Sequence, residues 1–175
     1  FYRDLVAFAK KHDIFILSDL AYAEVYFDEN NPPPSVLQVP GAIDVTVEGL
    51  KDRKGLLRLE LYPPDDRDFL ADDKELVARR LDFARVDAPV PPFGPVQLCI
   101  RAPRPGTFTL SLMHDRDANL KFSVFSDGVG FPGNPRLGWS KPPASDARVA
   151  VGSGITHIAI RLNYLRGLRM KAMEP

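Results

Sequence analysis

Hydrophobic and polar residues change their period along this chain. Leu5, Phe8, Ala9 and His12 recur at helical spacing with Arg3, Lys10 and Lys11 opposite them. That predicts an amphipathic helix of about three turns. Ile14-Phe15-Ile16-Leu17 follows as a short apolar run and predicts a buried strand, so the two together suggest an α/β unit. Asn30-Asn31-Pro32-Pro33-Pro34 is a loop or a helix start. From residue 43 the period becomes two. Ile43, Val45 and Val47 alternate with Asp44, Thr46 and Glu48, and Leu57, Leu59 and Leu61 alternate with Arg58 and Glu60. With a turn between Gly49 and Gly55, these two runs predict a β-hairpin.

The same reading continues to the end of the chain. Asp72 and Glu75 have capping-box spacing ahead of Leu76-Val77-Ala78, which predicts one or two helical turns. Strands are expected at 83–90, 96–101, 107–113 and 121–125, with a final hairpin of 147–151 and 155–162 turned at Gly152-Ser153-Gly154. The expected fold is mostly β. It is an antiparallel β-sandwich of roughly seven or eight short strands over 43–175, with a helix–strand appendage over 1–42.

Composition narrows the function classes. Lys plus Arg equals Asp plus Glu at 23 each. There is no basic footprint for nucleic acid, and the partner expected is an unidentified ligand or protein. Seventeen prolines, concentrated after residue 31, suit short strands joined by irregular connections. Cys99 is the only cysteine, which leaves no intramolecular disulfide and no cysteine zinc site. It stands in the run Val96-Gln97-Leu98-Cys99-Ile100 and reads as a buried thiol. No apolar run has the length of a transmembrane helix. FYRDLVAFAKKHD carries charges where an export signal needs an apolar core, so the chain as it stands reads as cytoplasmic.

Candidate chemistry gathers between Gly106 and Trp139. Asp115, Asp117 and Asn119 place oxygen side chains at i, i+2 and i+4, as the first half of a calcium loop does. Leu120 stands where an EF-hand needs glycine and Ser126 where it needs glutamate, which excludes an EF-hand. Two readings stay open: a shallower calcium site completed by Asp127, and a turn in which Asp and Asn bond their own backbone. His114 beside Asp115 lacks any G-x-S-x-G nucleophile and reads as a strand-end side chain bonded to a nearby loop. The long loop 126–142 is a candidate ligand loop, with His114, Phe131, Asn134 and Trp139 as its residues. Phe131 and Trp139 either line a groove or plug one end of the sandwich. No complete catalytic constellation occurs, so no catalytic residue is assigned.

Two segments resemble known families. FYRDLVAFAKKHDIFILSDLAYAEVYFDENNPPPSVLQVPGAIDVTVE resembles part of the large domain of class I/II pyridoxal-phosphate aminotransferases, the alanine- and diaminopimelate-aminotransferase branch above all. The resemblance implies that Asp19 pairs with the cofactor's pyridinium nitrogen and that Tyr22 hydrogen-bonds its phenolic oxygen. In that family the DVTVE strand leads into a Ser-Lys segment whose lysine forms the Schiff base. Here Gly49-Leu50-Lys51-Asp52-Arg53 follows instead, and the sole Ser-Lys pair is Ser140-Lys141 in a proline-rich loop. Asp19 and Tyr22 are thus expected to be vestigial, and no functional cofactor is expected. LRLELYPPDDRDFLADD, QLCIRAPRPGTFTLSLMHDRDANLKF and GFPGNPRLGWSKP resemble a bacterial domain-of-unknown-function family, number 2141, whose members look like small exported β proteins. The expectation is a fusion: an aminotransferase-like fragment at 1–42 and a non-enzymatic binding or structural domain at 43–175, with a calcium-stabilised loop. The alternative is a truncated aminotransferase that lacks its Schiff-base lysine and is inactive alone.

Overall fold

A computed structural model describes residues 2–16 and 41–173. The first helix, α1 (Tyr2–His12), buries Val6 and Ala9 and leaves Phe8 exposed. Its packed side is therefore rotated from the predicted one. Lys10, Lys11 and His12 in its last turn complement the carbonyl end of the helix dipole. Residues 14–16 form no strand, and Phe15 is fully exposed. Leu17 lies outside the described residues. The predicted α/β unit is thus absent among the described residues.

Ten strands follow. They are β1 (Ala42–Glu48), β2 (Leu56–Tyr62), β3 (Ala84–Pro89), β4 (Gln97–Arg101), β5 (Gly106–Asp115), β6 (Gly128–Gly130), β7 (Arg148–Val151), β8 (Thr156–Arg161), β9 (Asn163–Arg166) and β10 (Arg169–Ala172). They build two sheets. The smaller has the order β4-β1-β8, and the larger runs β10-β9-β6-β5-β2-β3 with β7 also on β5. All pairs are antiparallel except β1 with β8. The fold is mostly β, with multistranded antiparallel sheets and no closed barrel among the described residues.

The leucines and valines of the period-two runs face one another across the two sheets. Ile43, Val45 and Val47 on β1 pack in one cluster with Leu57, Leu59 and Leu61 on β2 and Phe108, Leu110 and Leu112 on β5. The predicted hairpin of 43–48 with 57–61 is therefore corrected. β1 and β2 lie in different sheets, and the turn between them crosses the sandwich. The alternation fixed which face of each run is buried, but either strand could satisfy it in either sheet. β1 found its neighbours later in the chain, where Val45 sits opposite both Leu98 and Ile158. The predicted 147–151/155–162 hairpin is corrected in the same way. β7 joins β5 and β8 joins β1, so the glycines at 152–154 carry the chain between sheets.

Further differences are local. Residues 121–125 form a bend and the start of a turn with irregular backbone between them, not a strand. β6, β9 and β10 were too short or too polar to announce themselves. The second helix, α2 (Asp73–Ala78), is capped by Asp72, whose carboxylate accepts the Lys74 N–H at 2.9 Å. Glu75 instead faces Arg79 one turn on. A second apolar cluster covers the outer face of the large sheet: Tyr62, Phe69, Leu76, Phe131, Ala144 and Ala147. Its aromatic rings meet edge-on, Tyr62 with Phe69 at 5.9 Å and Phe69 with Phe131 at 5.8 Å.

Two glycines of β6 let the large sheet close around it. A Cβ at Gly130 would lie 2.6 Å from the Arg161 carbonyl oxygen, and one at Gly128 would lie 2.4 Å from the Tyr164 ring. Backbone cannot yield as a side chain can. Gly130→Ala is expected to lower stability by about 2 kcal/mol through overpacking. Urea unfolding of the two proteins checks this, and equal midpoints would show that the approach is looser than described.

Candidate functional site

β5 ends in His114 and Asp115, and what those two residues do shapes one end of the sandwich. His114 is fully buried. Its Nε2 lies 2.7 Å from the Lys54 carbonyl, which can only accept, so Nε2 carries the proton. Nδ1 then accepts from the Tyr164 hydroxyl at 2.6 Å. The same hydroxyl oxygen accepts the Lys51 N–H at 3.2 Å. One neutral imidazole thus ties β5, β9 and the turn between β1 and β2. Desolvation pushes its pKa below 6.5. Desolvation likewise pushes Tyr164 up to about 12. The expectation of a strand-end histidine bonded to a neighbouring loop is what the structure shows.

The chain past β5 is wrapped around carboxylates. Asp115 accepts the Asn119 N–H at 3.2 Å and the Leu120 N–H at 2.7 Å. Asp127 accepts the N–H of Arg116 at 3.1 Å and of Ser123 at 2.8 Å. Asp117 accepts the Asn119 side-chain amide at 2.8 Å, and Asn119 Oδ1 accepts the Lys121 N–H at 2.7 Å. These bonds explain why 121–125 is not a strand, since its amides serve side chains instead of a ladder. One oxygen from each of Asp115, Asp117 and Asp127 lies within 4.8 Å of the others. Asp115 and Asp127 are buried, and Asp117 is exposed. Nearby, the Arg116 guanidinium bonds Asp52 and the Ser126 carbonyl, fastening this loop to the β1–β2 turn. That guanidinium holds the Asp52 carboxyl below its ordinary value. The buried Ser126 hydroxyl has no hydrogen-bond partner among the described residues.

Beside this loop, on the outer face of the large sheet, lies a groove of about 450 Å³. Met113, Phe122, Val124, Leu137, Trp139 and Met170 give it apolar walls. Its floor carries Glu60 and Ser111. Glu60 accepts from Arg85 at 2.7 Å and from the Tyr62 hydroxyl at 2.7 Å. Burial pushes the Tyr62 hydroxyl far above its ordinary pKa. Trp139, 73% exposed, stands on the rim and separates this groove from a second one of about 750 Å³ over β9 and β10.

The four predicted ligand-loop residues do not converge. Phe131 lines the first groove but is 3% exposed and belongs to the second apolar cluster. Trp139 faces both grooves, and Asn134 lines the second while its side chain accepts the Arg161 N–H at 2.7 Å. His114 lies in the core. Phe131 walls the groove while packing in the outer-face cluster, not between the two sheets, and Trp139 walls it from the exposed rim. Sequence reasoning missed the floor, Glu60 and Ser111, and the Tyr62 and Arg85 that hold Glu60. The signal was the polar phase of β2, where Glu60 sits among leucines and its register partner Arg85 carries the opposite charge. Asp19 and Tyr22 lie outside the described residues. Lys141 gives its amine to the carbonyls of Asp66 at 2.8 Å and Phe69 at 2.9 Å. Cys99 is half-buried, and burial pushes its thiol up. No helix among the described residues is long and apolar enough to cross a membrane.

Fold and site together define a small two-sheet β domain with an acidic loop and an apolar groove at one end. The model of the family described as "Uncharacterized protein conserved in bacteria (DUF2141)" matches residues 45–159, and the chain belongs to that family. A second likeness covers 48 residues. Over them the chain is 75% identical to the "Putative aminotransferase AatC" of Rhizobium meliloti (strain 1021), covering 27% of this chain and 12% of that protein. It is 56% identical over 48 residues to the "LL-diaminopimelate aminotransferase" of Maridesulfovibrio salexigens, and 52% identical over 48 to that of Aquifex aeolicus. The chain spans 12% of the length of each of these two, and the likeness is that of a fragment. No solved structure matches the chain significantly.

The buried imidazole sets a pH dependence. Its folded pKa lies below the unfolded value of 6.5, so below that pH the unfolded chain binds a proton that the native one refuses. Stability then falls as pH drops. His114→Gln should flatten this fall between about pH 7 and pH 5, whatever its effect at neutral pH. Urea midpoints of both proteins across that range check it. Identical slopes would show that His114 contributes none.

Proposed function

We propose that residues 43–175 are a non-enzymatic binding module, fused to an aminotransferase-like fragment at 1–42, and that the loop after β5 is stabilised by calcium. The observation that carries the binding reading is the groove of about 450 Å³ with apolar walls and a polar floor beside an exposed tryptophan. Sites for small or chain-like ligands have that composition. The floor supports binding over catalysis. Glu60 is already engaged by Arg85 and Tyr62, which leaves no free acid–base pair among the described residues lining the groove.

An apolar fluorescent probe, anilinonaphthalene sulfonate, should bind the native protein saturably. Removing two rim aromatics, Phe122→Ser with Trp139→Ala, should weaken it about tenfold, corresponding to ~1.4 kcal/mol. Both side chains are at least half exposed, so the melting temperature should hold. Unchanged probe affinity would remove the groove from the proposal.

Calcium is supported by the convergence of Asp115, Asp117 and Asp127. Hard cations favour such oxygen sets, and the loop's backbone bonds already hold them in place. Asn119 is the fourth candidate ligand if its Oδ1 turns from Lys121. Calcium at about a hundred times its dissociation constant adds roughly 2.7 kcal/mol, which raises the melting temperature by about 5–10 °C. Asp117→Asn should abolish most of that shift. A melting temperature indifferent to millimolar calcium would end the metal reading.

The rival reading, a truncated pyridoxal-phosphate aminotransferase, draws on the 48-residue likeness alone. The amine of Lys141 is held by two carbonyls and lies in the β domain. Stoichiometric pyridoxal phosphate is expected to raise no saturable Schiff-base absorbance. A saturable band abolished by Lys141→Arg would reverse this preference.

A further inference from the structure

The groove of about 750 Å³ on the far side of Trp139 reaches a sheet edge. Side chains on a strand alternate between two faces, so a groove lying over one face is lined by every second residue. On β9 that holds: Asn163 and Leu165 line it. At β10 the lining is the unbroken run from Leu168 to Ala172. The groove therefore passes over β9 and turns along the side of β10. β10 ends the order of the large sheet and pairs only with β9 among the described residues. Every second residue of a paired strand turns its N–H and C=O away from the partner, and on this edge those groups have no ladder partner among the described residues.

The charge around the edge has one sign. Arg136, Arg169 and Lys171 line the groove, and Arg166 is the register partner of Arg169. None of the four has an ion pair or side-chain hydrogen bond among the described residues. Like charges opposite one another cost stability unless something neutralises them. In a chain of net charge zero this is a local concentration. Cationic edges also disfavour antiparallel pairing with a second copy of themselves. Trp139 and Leu168, 73% and 80% exposed, stand at the same groove.

We propose that the β10 edge docks an extended acidic peptide of another protein, which adds to the large sheet as a further strand. Its backbone pairs with β10, its carboxylates meet Arg136, Arg166, Arg169 and Lys171, and an apolar side chain enters between Trp139 and Leu168. Main-chain bonds of this kind supply affinity, and the alternating pockets supply selection. The inference rests on the binding-module reading and names its partner.

Trp139 is the chain's only tryptophan, so intrinsic fluorescence of the full chain reports this site without a label. The probe is a blocked peptide of alternating Asp and Val. A saturable blue shift is expected, weakened by added salt. N-methylating the amides on one edge of the peptide should cost at least about tenfold in affinity, as should replacing its Asp by Lys. Arg169→Glu with Lys171→Glu should exchange the preference toward the Lys peptide. Equal binding of the N-methylated peptide would overturn strand addition, and equal binding of the Lys peptide would overturn the acidic partner. A blue shift with phosphatidylserine vesicles but none with the peptide would assign the surface to lipid and sink the proposal. If the peptide fails while anilinonaphthalene sulfonate still binds the first groove, only this partner falls. If both fail, the binding-module reading falls with it.

Discussion

The structure depends on one strand being buried on both faces. Every residue of β5 from Phe108 to Asp115 is buried. One face meets the small sheet through Phe108, Leu110 and Leu112, and the other is roofed by the loops and short helices that carry Phe69, Leu76 and Phe131. A strand in that position must satisfy its polar side chains internally, because water cannot reach them. Thr109 donates to the Pro63 carbonyl at 2.9 Å, Ser111 faces Glu60, and His114 is bonded at both nitrogens. Asp115 closes the series by gathering the amides of the loop that follows. The loop geometry thus follows from the burial of the strand it leaves.

The same constraint accounts for where ligand-accessible surface remains. Sandwich contacts cover the inner face of β2, β5 and β9, and α2 with the Phe69 cluster covers part of the outer face. The uncovered part of the outer face lies toward β9 and β10, around Trp139. There the side chains are long, apolar or cationic, and several are exposed together. Exposed large apolar side chains are ordinary when scattered. Trp139, Phe122 and Leu168 are not scattered, since they border two adjoining grooves. The polar floor beneath them is sealed by Arg85, which bridges Glu60 at 2.7 Å and Asp73 at 2.7 Å. Arg85 also stacks over Phe83 at 5.3 Å, so this cation joins the roof to the sheet.

Much of this was legible in the residues, and the failures share a cause. The alternation of Leu57, Leu59 and Leu61 identified a half-buried strand correctly, as did that of Ile43, Val45 and Val47. Period two states which face is buried but says nothing about which sheet supplies the neighbour. The hairpin between these runs was inferred from proximity in sequence, and long-range pairing overrode it. Residues 121–125 failed differently. Phe122, Val124 and Phe125 look like strand residues, but Asp115, Asn119 and Asp127 claim the amides of Leu120, Lys121 and Ser123. The turn reading, in which Asp and Asn bond nearby backbone, describes these bonds, and it conflicts with a strand at 121–125, since the same amides cannot serve both. β10 was hidden by its charges, since Arg169 and Lys171 look like a solvated tail until a partner strand sets them in register. The groove floor was invisible because Glu60 and Ser111 meet only through the β2–β5 pairing.

The strand at 42–48 shows how far local sequence leaves context open. DVTVE fits the aminotransferase-like segment, and Val45 to Glu48 also begin the stretch matched by the β-domain family. In the fold it is the central strand of the small sheet, with β4 and β8 both drawn from the β domain. Its apolar face is completed by Leu98, Ile100 and Ile160. A short alternating strand asks only for an apolar surface on one side and ladder partners on both edges. Any sheet offering those will accept it. The identity of those seven residues therefore says little about which protein they came from, whereas the pairing says which fold they now serve. Removing β1 would separate β4 from β8 and uncover the leucines of β2 and β5. The β domain as a physical unit thus includes β1.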